Sequence, residues 1–499
     1  MTQAATNLTN MPISLNQNTL EQISAHAPVP NYERSTIKCG IVHMSVGGFH
    51  RAHQAVYMDD VLSLFGGDWG ICGVGLLPND LDNINALKNQ DGLYTVLERQ
   101  ASGDVARVIG SMVEVLHAPT ETQKVLDKLS DPMTKILSLT VTEKGYCYKA
   151  DGNLDQNNPL LQEDLKDLSA PKTAMGYIVA GLKARKEAGI SAYTVMSCDN
   201  LPGNGHLTQK LVLQFATLID TDLARWIQDN VTFPNAMVDR ITPVTTQPII
   251  DIVRDKFMIT DKWPVVCEDY RQWVLEDKFV NGRPQLEEAG VQLVADVDPY
   301  EKMKVRLLNG SHSALSYLSY LMGYREVDKA MNDPLIAQYV RAYMDQDVTP
   351  SVPNVPGVNL DKYKDTLIKR FANPAISDQV QRLAEDGSAK IPNSILPCIE
   401  YQLEHGGSIK LAALALAGWF RYLTGVDENT QAIMIKDPRA NQLTAAMQVN
   451  PRSPISILGI TEIFGTRLPL NNEFVTAIQD ALDSLNEKGT RETVKAYIS

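Results

Sequence analysis

Apolar and polar positions alternate in blocks along the first part of the chain. The run 39–62 predicts a short apolar strand, a glycine turn and a helix, and the apolar run 68–76 is followed by a polar helical stretch through Leu87. Further strands are predicted at 105–115, 136–141 and 192–196. Strands that alternate with helices in this way form a parallel sheet, and the loops at the strand ends of such a sheet bind ligands.

The second part of the chain carries a different pattern. From about residue 300 the β-like runs give way to helical patterns, which cover 300–321, 327–345, 376–384 and 408–423. The proline-rich segment 349–358 predicts a connector between helices, because proline ends helices. We therefore expect an α/β fold with two domains: a dinucleotide-binding domain over 1–299 that begins with a polar leader, and a mainly α-helical domain over 300–499.

The composition excludes several classes of protein. The chain has 499 residues with 46 Lys and Arg against 59 Asp and Glu, and its net charge of −13 repels nucleic acid and anionic membranes. The longest apolar stretch, 411–420, is too short to span a bilayer, and the first twenty residues lack the features of a signal peptide. We expect a cytoplasmic protein with no nucleic-acid or membrane partner.

The histidines and cysteines do not predict a metal site. The six cysteines lie far apart and none is clustered with histidines at the spacing of metal ligands. His50 and His53 are three residues apart on a predicted helix, without a nearby cysteine or a second pair of ligands. We therefore expect chemistry that needs no metal ion.

The glycine turn between the first strand and its helix is the first candidate site. A dinucleotide-binding fold needs glycines here so that backbone N–H groups can approach a diphosphate. The full Gly-x-Gly-x-x-Gly pattern would also require glycines at the positions of Ser45 and His50, and the alternative is a purely structural turn. The predicted cofactor-binding residues at this turn are Val46, Gly47, Gly48, Phe49, His50 and Arg51, the last supplying a cation.

Two further residues at predicted strand ends are candidates for cofactor binding. Asp80 follows the second strand, with no Arg or Lys between them, and an acidic residue at this place favours NAD over NADP. The alternative is that Asp80 only caps the next helix. Thr142 begins the polar loop after the strand at 136–141. We expect NAD as the cofactor, with NADP less favoured.

The run 301–318 carries the strongest group of candidate catalytic residues. Lys304, Asn309 and His312 are separated by five and three residues. On a regular α-helix, Asn309 lies about 140° and His312 about 80° from Lys304, and Glu301 lies about 60° away, so all four share one side. Such a side resembles the lining of a cleft rather than a packing surface.

These residue types suit the oxidation of an alcohol. A base must take the hydroxyl proton, and Lys304 can do so if burial or neighbouring cations lower its pKa. Asn309 then donates to the developing alkoxide, while His312 binds a hydroxyl and Glu301 relays the proton to water. A second amide, Asn200, follows the strand at 192–196 and would complete a pair of donors.

Each of these residues also has a purely structural interpretation. A lysine is usually a solvated surface cation, and an asparagine is often a cap. A histidine is more often a core residue with satisfied hydrogen bonds than a catalytic group. Asn200 can form a turn before Pro202. The shared helical side favours the functional interpretation for the group as a whole.

Six motifs give the chain a resemblance that runs nearly from end to end. They are IVHMSVGGFHRAHQA (41–55), TVTEKGY (140–146), MSCDNLPGNG (196–205), FPNAMVDRITP (233–243), QWVLED (272–277) and KVRLLNGSHSALSYL (304–318). With these motifs the chain resembles the polyol-specific long-chain dehydrogenase/reductase family. The resemblance implies a Rossmann-type domain followed by a mainly helical domain, with NAD in the first and the polyol in the cleft between them.

The resemblance also implies roles for individual residues. It makes Lys304 the general base, Glu301 a proton relay, and Asn200 and Asn309 the oxyanion hole. It assigns Asp239 and Arg382 to polyol binding, although Asp239 can instead pair with Arg240 and Arg382 can be an ordinary surface residue. One departure concerns Ser45, since members of the family usually have glycine there and a serine adds a Cβ to a tight turn.

The activity that the resemblance implies is the reversible, metal-independent oxidation of D-mannitol at C2 to D-fructose with NAD. Two alternatives within the family are a D-arabinitol dehydrogenase and a hexuronate reductase acting on fructuronate or tagaturonate. A non-enzymatic alternative is a regulatory protein that senses a nucleotide. We expect a small-molecule polyol or ketose as the substrate, and a monomer or a weak homo-oligomer.

Overall fold

The computed structural model describes residues 11–149 and 151–499 of the chain. Residues 1–10 of the predicted leader lie outside the described residues. The chain divides into two compact units, of which the first ends at Val297 and the second comprises Asp298–Ser499.

The first unit holds all the strands in the described part of the chain. They are β1 (Ile13–Ser14), β2 (Cys39–Met44), β3 (Gly70–Gly75), β4 (Tyr94–Gln100), β5 (Gly103–Ile109), β6 (Met112–His117), β7 (Ile136–Leu139), β8 (Thr194–Ser197), β9 (Ala236–Asp239), β10 (Ile259–Thr260), β11 (Val265–Glu268), β12 (Gln272–Glu276) and β13 (Gln292–Val294). Five of them form a parallel sheet in the order β6-β3-β2-β7-β8. Counted along the chain within this sheet, the order is third, second, first, fourth, fifth, which is that of a dinucleotide-binding fold.

Helices connect and cover these strands. They are α1 (Leu20–Ile23), α2 (Gly48–Ala52), α3 (Gln54–Phe65), α4 (Leu81–Asn89), α5 (Thr122–Ser130), α6 (Thr142–Gly145), α7 (Pro159–Lys166), α8 (Ala174–Ala188), α9 (Asn204–Ile219), α10 (Thr221–Asn230) and α11 (Gln247–Phe257). The strands β3, β7 and β8 are buried along their whole length, as expected for a parallel sheet covered on both faces. The strand order reverses between β2 and β7, because β3 and β6 lie on one side of β2 while β7 and β8 lie on the other. Ligands bind at the carboxyl ends of the strands at such a topological switch point.

Three sequence-based expectations for the first unit need correction. The strand predicted at 105–115 is two strands that belong to different sheets, because the N–H and the carbonyl of Gly110 between them bond to the side chains of Asp59 and Arg34. The helix predicted after the glycine turn is broken at His53, whose backbone is not helical. The leader is not simply polar: β1 pairs in parallel with β10, and Leu15 and Ile23 are buried.

The second unit contains no strand and is built from helices, which confirms the predicted fold class. They are α12 (Asp298–Met303), α13 (Gly310–Leu321), α14 (Val327–Met331), α15 (Pro334–Ala342), α16 (Leu360–Phe371), α17 (Val380–Ala384), α18 (Gly387–Ser394), α19 (Leu396–His405), α20 (Lys410–Tyr422), α21 (Ala440–Val449), α22 (Ile455–Leu458), α23 (Thr461–Phe464) and α24 (Asn472–Ile498). Two π-helices, π1 (Lys304–Asn309) and π2 (Tyr343–Val348), stand among them. Helix α20 is apolar on nearly all sides and buried, so it is a central element of this unit.

The predicted continuous α-helix over 300–321 is in fact α12, π1 and α13 in succession. Its apolar positions fit a 3.6-residue period well enough to conceal the wider turn. Because Lys304 to Asn309 follow a π-helix, the angle of about 140° between them, calculated for an α-helix, does not apply. The predicted helix at 327–345 is likewise interrupted, since Asp333 caps a new helix that begins with Pro334.

Buried histidines in the first unit make its stability depend on pH. Burial lowers the pKa of His43 and of His53 from 6.5 to about 3. Between these values the unfolded chain binds more protons than the folded protein, so stability is complete above about pH 6.5 and is lost as the pH falls through this window. At pH 5.5 each histidine should cost about 1.4 kcal/mol.

We therefore expect His53→Gln to weaken the loss of stability between pH 7.5 and 5.5 by about 1 kcal/mol, measured by urea unfolding at both pH values. His405→Gln is the matched control, because His405 is exposed, and it should leave the pH dependence as in the wild-type protein. An identical pH dependence in wild type and His53→Gln would contradict the prediction.

Candidate functional site

The glycine turn lies at the carboxyl end of β2, at the point where the strand order of the sheet reverses. Ser45 has a left-handed backbone with φ of 74°, which explains why a glycine would suit this position. Its N–H donates to the Val74 carbonyl at 2.8 Å, and its own carbonyl accepts from Gly47 N–H and from the Thr140 hydroxyl. A Cβ added at Gly47 would meet nothing within 4 Å, so the turn has open space beside its backbone.

Buried aromatic side chains support the turn from inside the unit. The rings of His43 and His50 are stacked with their centroids 3.3 Å apart, and His43 also contacts the hydroxyls of Ser138 and Thr140, each at 2.8 Å. Burial, together with the charges of His43, Arg51 and His53, holds the pKa of His50 well below its usual value. His50 is therefore a neutral packing partner in this structure.

Arg51 differs from the expectation that its cation lies beside a diphosphate. The guanidinium lies 3.7 Å from the centre of a Trp263 ring, and it donates to the Trp263 carbonyl at 2.5 Å. Only 1% of the residue is exposed. The side chain is thus used to hold the turn against the strand that follows Trp263, and the backbone of Val46 to Phe49 remains as the part of the turn that can approach a ligand.

Asp80 and Thr142 follow the two strands that flank β2 in the sheet. The Asp80 carboxylate accepts the N–H of Leu77 at 2.9 Å and closes the short turn Pro78–Asp80. Asp80 stands at the N-cap position of α4, but its side chain makes no capping bond to that helix, and its contact with a cofactor stays a prediction. Thr142 has a left-handed backbone with φ of 61° at the start of α6.

Asp199 holds the loop after β7 in place. Its carboxylate accepts the N–H of Val141 at 3.0 Å and the N–H of Thr142 at 2.9 Å, and it also accepts from the Tyr146 hydroxyl at 2.7 Å. Burial raises the pKa of Asp199, while these three donors lower it. Because Asp199 precedes Asn200, this bond network also fixes one end of the loop that carries the predicted amide donor.

Two further amides fix the other end of that loop. Asn204 donates to the carbonyls of Asp199 and Ala236 at 2.9 and 2.7 Å, and it accepts from Ala236 N–H. Asn235 accepts the N–H groups of Gly205 and His206 at the start of α9. The loop around Asn200 is thus tied to β9. The sequence interpretation missed these residues, although Asp199, Asn204 and Asn235 all stand inside quoted motifs.

Asp239 ends β9 and lies opposite Gln272 of β12. The alternative is that Asp239 forms an ion pair with Arg240, but the Arg240 side chain bonds to other residues. The Arg240 guanidinium bonds to Glu98 Oε1 at 2.5 Å and to the carbonyls of Ala52 and Glu268 at 2.6 and 3.0 Å. Arg240 is therefore a structural residue with its own partners, and polyol binding by Asp239 stays a prediction.

The second unit carries the other predicted catalytic residues on one helical run. Glu301 lies in α12, Lys304 is the first and Asn309 the last residue of π1, and His312 is in the first turn of α13. Lys304 is only 6% exposed, unlike a solvated surface lysine. The His312 ring packs against Phe371 with 4.4 Å between the ring centroids.

Cations surround His312. Burial holds the pKa of His312 well below its usual value, and the charges of Arg382, Arg370, Lys390 and Lys304 lower it further. His312 is therefore neutral and can exchange hydrogen bonds with hydroxyl groups. Burial and the Arg382 charge also lower the pKa of Lys390. The sequence interpretation missed Arg370 and Lys390, since cations more than fifty residues from Lys304 give no local signal.

Arg382 is a partly exposed residue with an ion-pair partner, and polyol binding by Arg382 stays a prediction. Half of its side chain is exposed, and its guanidinium forms a two-point ion pair with Asp378, with 2.7 Å between Nε and Oδ1. Its charge nevertheless acts on His312, so it contributes to the same electrostatic environment.

In residues 11–149 and 151–499 no group of three or more metal-ligating side chains is gathered in one place. None of the helices formed by these residues is long and apolar enough to cross a membrane.

Two family models match the chain: the mannitol dehydrogenase Rossmann domain over residues 39–288 and the mannitol dehydrogenase C-terminal domain over residues 296–486. The chain is similar to mannitol 2-dehydrogenase of Neosartorya fischeri, with 42% identity over 499 residues that cover 98% of this chain and 99% of the relative. It is also similar to D-mannonate oxidoreductase of Escherichia coli, with 44% identity over 482 residues that cover 95% of this chain and 99% of the relative.

Among solved structures, the chain is similar to the Pseudomonas fluorescens mannitol 2-dehydrogenase, which was solved as a ternary complex with NAD and D-mannitol. The two share 47% sequence identity with a TM-score of 0.88, over 97% of this chain and 99% of that one. The likeness therefore includes both units, and it agrees with the resemblance carried by the six motifs.

The network around Asp199 leads to a stability prediction. Asp199→Ala would remove the acceptor of two backbone N–H groups and one of the two partners of the Tyr146 hydroxyl, which also bonds to Ser197. We expect it to lower the free energy of unfolding by about 3 kcal/mol, because three hydrogen bonds to a buried carboxylate are lost and each contributes about 1 kcal/mol or more. Urea unfolding measures the change.

The matched control for this prediction is Asp167→Ala. Asp167 is an exposed carboxylate that accepts from the N–H and the hydroxyl of Ser169. We expect its removal to cost about 1 kcal/mol or less, since water replaces the lost partner. Equal losses in the two variants would mean that the buried network adds nothing beyond an ordinary surface cap.

Proposed function

The chain belongs to the mannitol dehydrogenase family, and on that premise we propose that it catalyses the reversible, metal-independent oxidation of D-mannitol at C2 to D-fructose with NAD. The observation that carries this proposal is the buried Lys304 on π1, in the same electrostatic environment as a neutral His312. Burial of an amine disfavours its charged form, which is the condition that a proton-accepting lysine requires.

The first unit fits the cofactor. Bound NAD supplies the hydride acceptor. We assign its diphosphate to the backbone of Val46, Gly47, Gly48 and Phe49, where the turn is open and helix α2 begins. We assign one ribose to Asp80 at the end of β3, through the carboxylate oxygen that does not accept from Leu77. Thr142, held by Asp199, belongs to the loop after β7 at the same edge of the sheet.

The reaction needs one proton acceptor and donors to the substrate oxygen. In our proposal Lys304 accepts the proton of the C2 hydroxyl as the hydride leaves, and Asn200 and Asn309 donate to the oxygen that becomes negative. His312, Asp239 and Arg382 bind the remaining hydroxyl groups of the polyol. Glu301 passes the proton from Lys304 towards water.

A second candidate is the conversion of an anionic sugar acid. The Escherichia coli relative is named D-mannonate oxidoreductase, and its substrate carries a carboxylate. The four cations whose charges reach His312 would attract such a group in spite of the net charge of −13. D-Arabinitol is a further alternative within the polyols.

Relative kcat/KM values separate these candidates. We expect D-mannitol with NAD to give the highest kcat/KM. The value should be at least about tenfold lower with D-arabinitol or D-mannonate as the substrate, and at least about tenfold lower with NADP as the cofactor. The measurement is the initial rate of NADH or NADPH formation with a chelator present. A higher value for D-mannonate would replace the polyol with the sugar acid, and a higher value with NADP would contradict the role of Asp80.

We also propose that the protein works in the cytoplasm as a monomer or a weak homo-oligomer. All six cysteines have free thiols, which suits a reducing compartment. Light scattering across a range of protein concentrations tests the oligomeric state.

The role of Lys304 can be tested by substitution. We expect Lys304→Ala to lower kcat for mannitol oxidation by about two to four orders of magnitude while NAD still binds, because only proton transfer is lost. Steady-state kinetics measures kcat, and quenching of protein fluorescence measures NAD binding. The increase of the wild-type rate with pH should disappear in the variant.

Lys302→Ala is the matched control, since Lys302 is an exposed cation two residues earlier that pairs with Asp298. It should keep kcat within about twofold of wild type. If Lys304→Ala retained the wild-type kcat, the lysine mechanism would be wrong. If the wild-type protein bound NAD but oxidised none of the substrates, the nucleotide-sensing alternative would replace the enzyme.

A further inference from the structure

The helical run that carries Lys304 and Asn309 has an unusual turn. The Gly310 N–H donates to the carbonyl of Val305, five residues earlier, so π1 has one more residue in its turn than an α-helix. Lys304 and Asn309 stand at the two ends of this wider turn. π-Helices are rare and short, so we expect contacts with neighbouring segments to stabilise the wide turn of π1.

A second π-helix packs against the first. In π2 the Thr349 N–H donates to the Met344 carbonyl, again five residues earlier, and the Thr349 hydroxyl bonds to the same carbonyl at 2.6 Å. The buried Tyr343 at the start of π2 faces Gly310, where an added Cβ would lie 3.0 Å from the tyrosine oxygen. Gly310 thus allows a close approach of the two segments.

Arg306 connects the two segments directly. From the middle of π1 its guanidinium donates to the carbonyl of Ser351, in the short turn Thr349–Ser351 that follows π2. The Ser351 hydroxyl bonds to the Val348 carbonyl at 2.7 Å and to Cys398 Sγ at 3.4 Å, so the accepting turn is itself fixed. One turn before π1, the Tyr300 hydroxyl donates to the Pro356 carbonyl at 2.7 Å.

The segment that accepts these bonds rests on the centre of the unit. In π2 the Asp347 carboxylate accepts the N–H of Ala412 in the first turn of α20 at 2.7 Å. The Gln402 amide donates to the carbonyls of Gln346 and Asp347, both at 2.9 Å. The proline-rich segment 349–358 therefore continues from an anchored element, and it does more than connect two helices.

We propose that Arg306 is a positioning residue, whose bond to Ser351 holds π1 in its wide register and so places the Lys304 amine and the Asn309 amide. This inference rests on the proposed function of these two residues. If π1 relaxed to an α-helix, the residues before it would shift by one position, which means about 100° of rotation and about 1.5 Å of translation relative to α13. A displacement of this size removes a base from its substrate.

The test compares Arg306→Met with Arg306→Lys and Tyr300→Phe. The first variant removes the donor, the second keeps a cation that can reach a carbonyl, and the third removes only the hydroxyl that bonds Pro356. Lys302→Met is the control, because it removes an exposed cation from the same helical run. Each variant is assayed for kcat and KM with mannitol and NAD, for the pH dependence of kcat/KM, and for thermal stability.

We expect kcat to fall about 100-fold in Arg306→Met and about fivefold in Tyr300→Phe, with KM for NAD within about twofold of wild type. The pH dependence of kcat/KM should shift in Arg306→Met, since the surroundings of Lys304 change. Arg306→Lys should recover at least about a tenth of the wild-type kcat, and Lys302→Met should behave as wild type. An unchanged kcat in Arg306→Met would overturn the proposal whatever Tyr300→Phe does, as would a loss in Arg306→Met explained by the unfolded fraction alone.

Amide hydrogen exchange provides a readout that does not depend on activity. Arg306→Met should exchange faster in peptides that span 304–310, while peptides from α20 keep the wild-type rate. Faster exchange there would support the positioning role even if the wild-type protein oxidised no polyol, in which case only the proposed function would fail. Unchanged exchange at 304–310 would overturn the positioning role even in an active mannitol dehydrogenase.

Discussion

Buried backbone groups must find hydrogen-bond partners wherever a strand or helix ends, and this requirement determines how both candidate sites are built. In the first unit Asp199 accepts the two N–H groups that begin the loop after β7. In the second unit Arg306 donates to the Ser351 carbonyl beyond π2. In both places one charged side chain bonds to the backbone of a distant segment, and each lies near a residue to which we assign a role in the proposed reaction, Asn200 or Lys304.

The electrostatics of the two units differ from the charge of the whole chain. The net charge of −13 argues against nucleic acid as a partner, yet the surroundings of His312 are cationic. Below the glycine turn, by contrast, His43 is neutral because burial lowers its pKa to about 3. The net charge therefore does not describe the local field at His312, which has the opposite sign.

The sequence was sufficient for the fold class and for the position of the glycine turn after the first strand of the sheet, because blocks of apolar residues and glycines are local signals. The positive φ of Ser45 is of this kind, since the expected glycine pattern had marked that position. Two features could not be predicted. The π-helix over 304–309 has the apolar pattern of an ordinary α-helix, and Arg51 looks like an accessible cation until its partner Trp263, 212 residues away, is known.

The proline-rich segment shows why such long-range contacts matter for function. Its prolines suited the interpretation as a connector, and in the structure Pro350 stands in the short turn Thr349–Ser351 that follows π2. A stretch without regular hydrogen bonds has carbonyl groups available, and Ser351 and Pro356 use theirs to accept from Arg306 and Tyr300. A connector of this type can hold a neighbouring helix in a less favourable register at little cost. If Lys304 is the base, as we propose, rigid support of the segment that carries it is what the geometry of proton transfer demands.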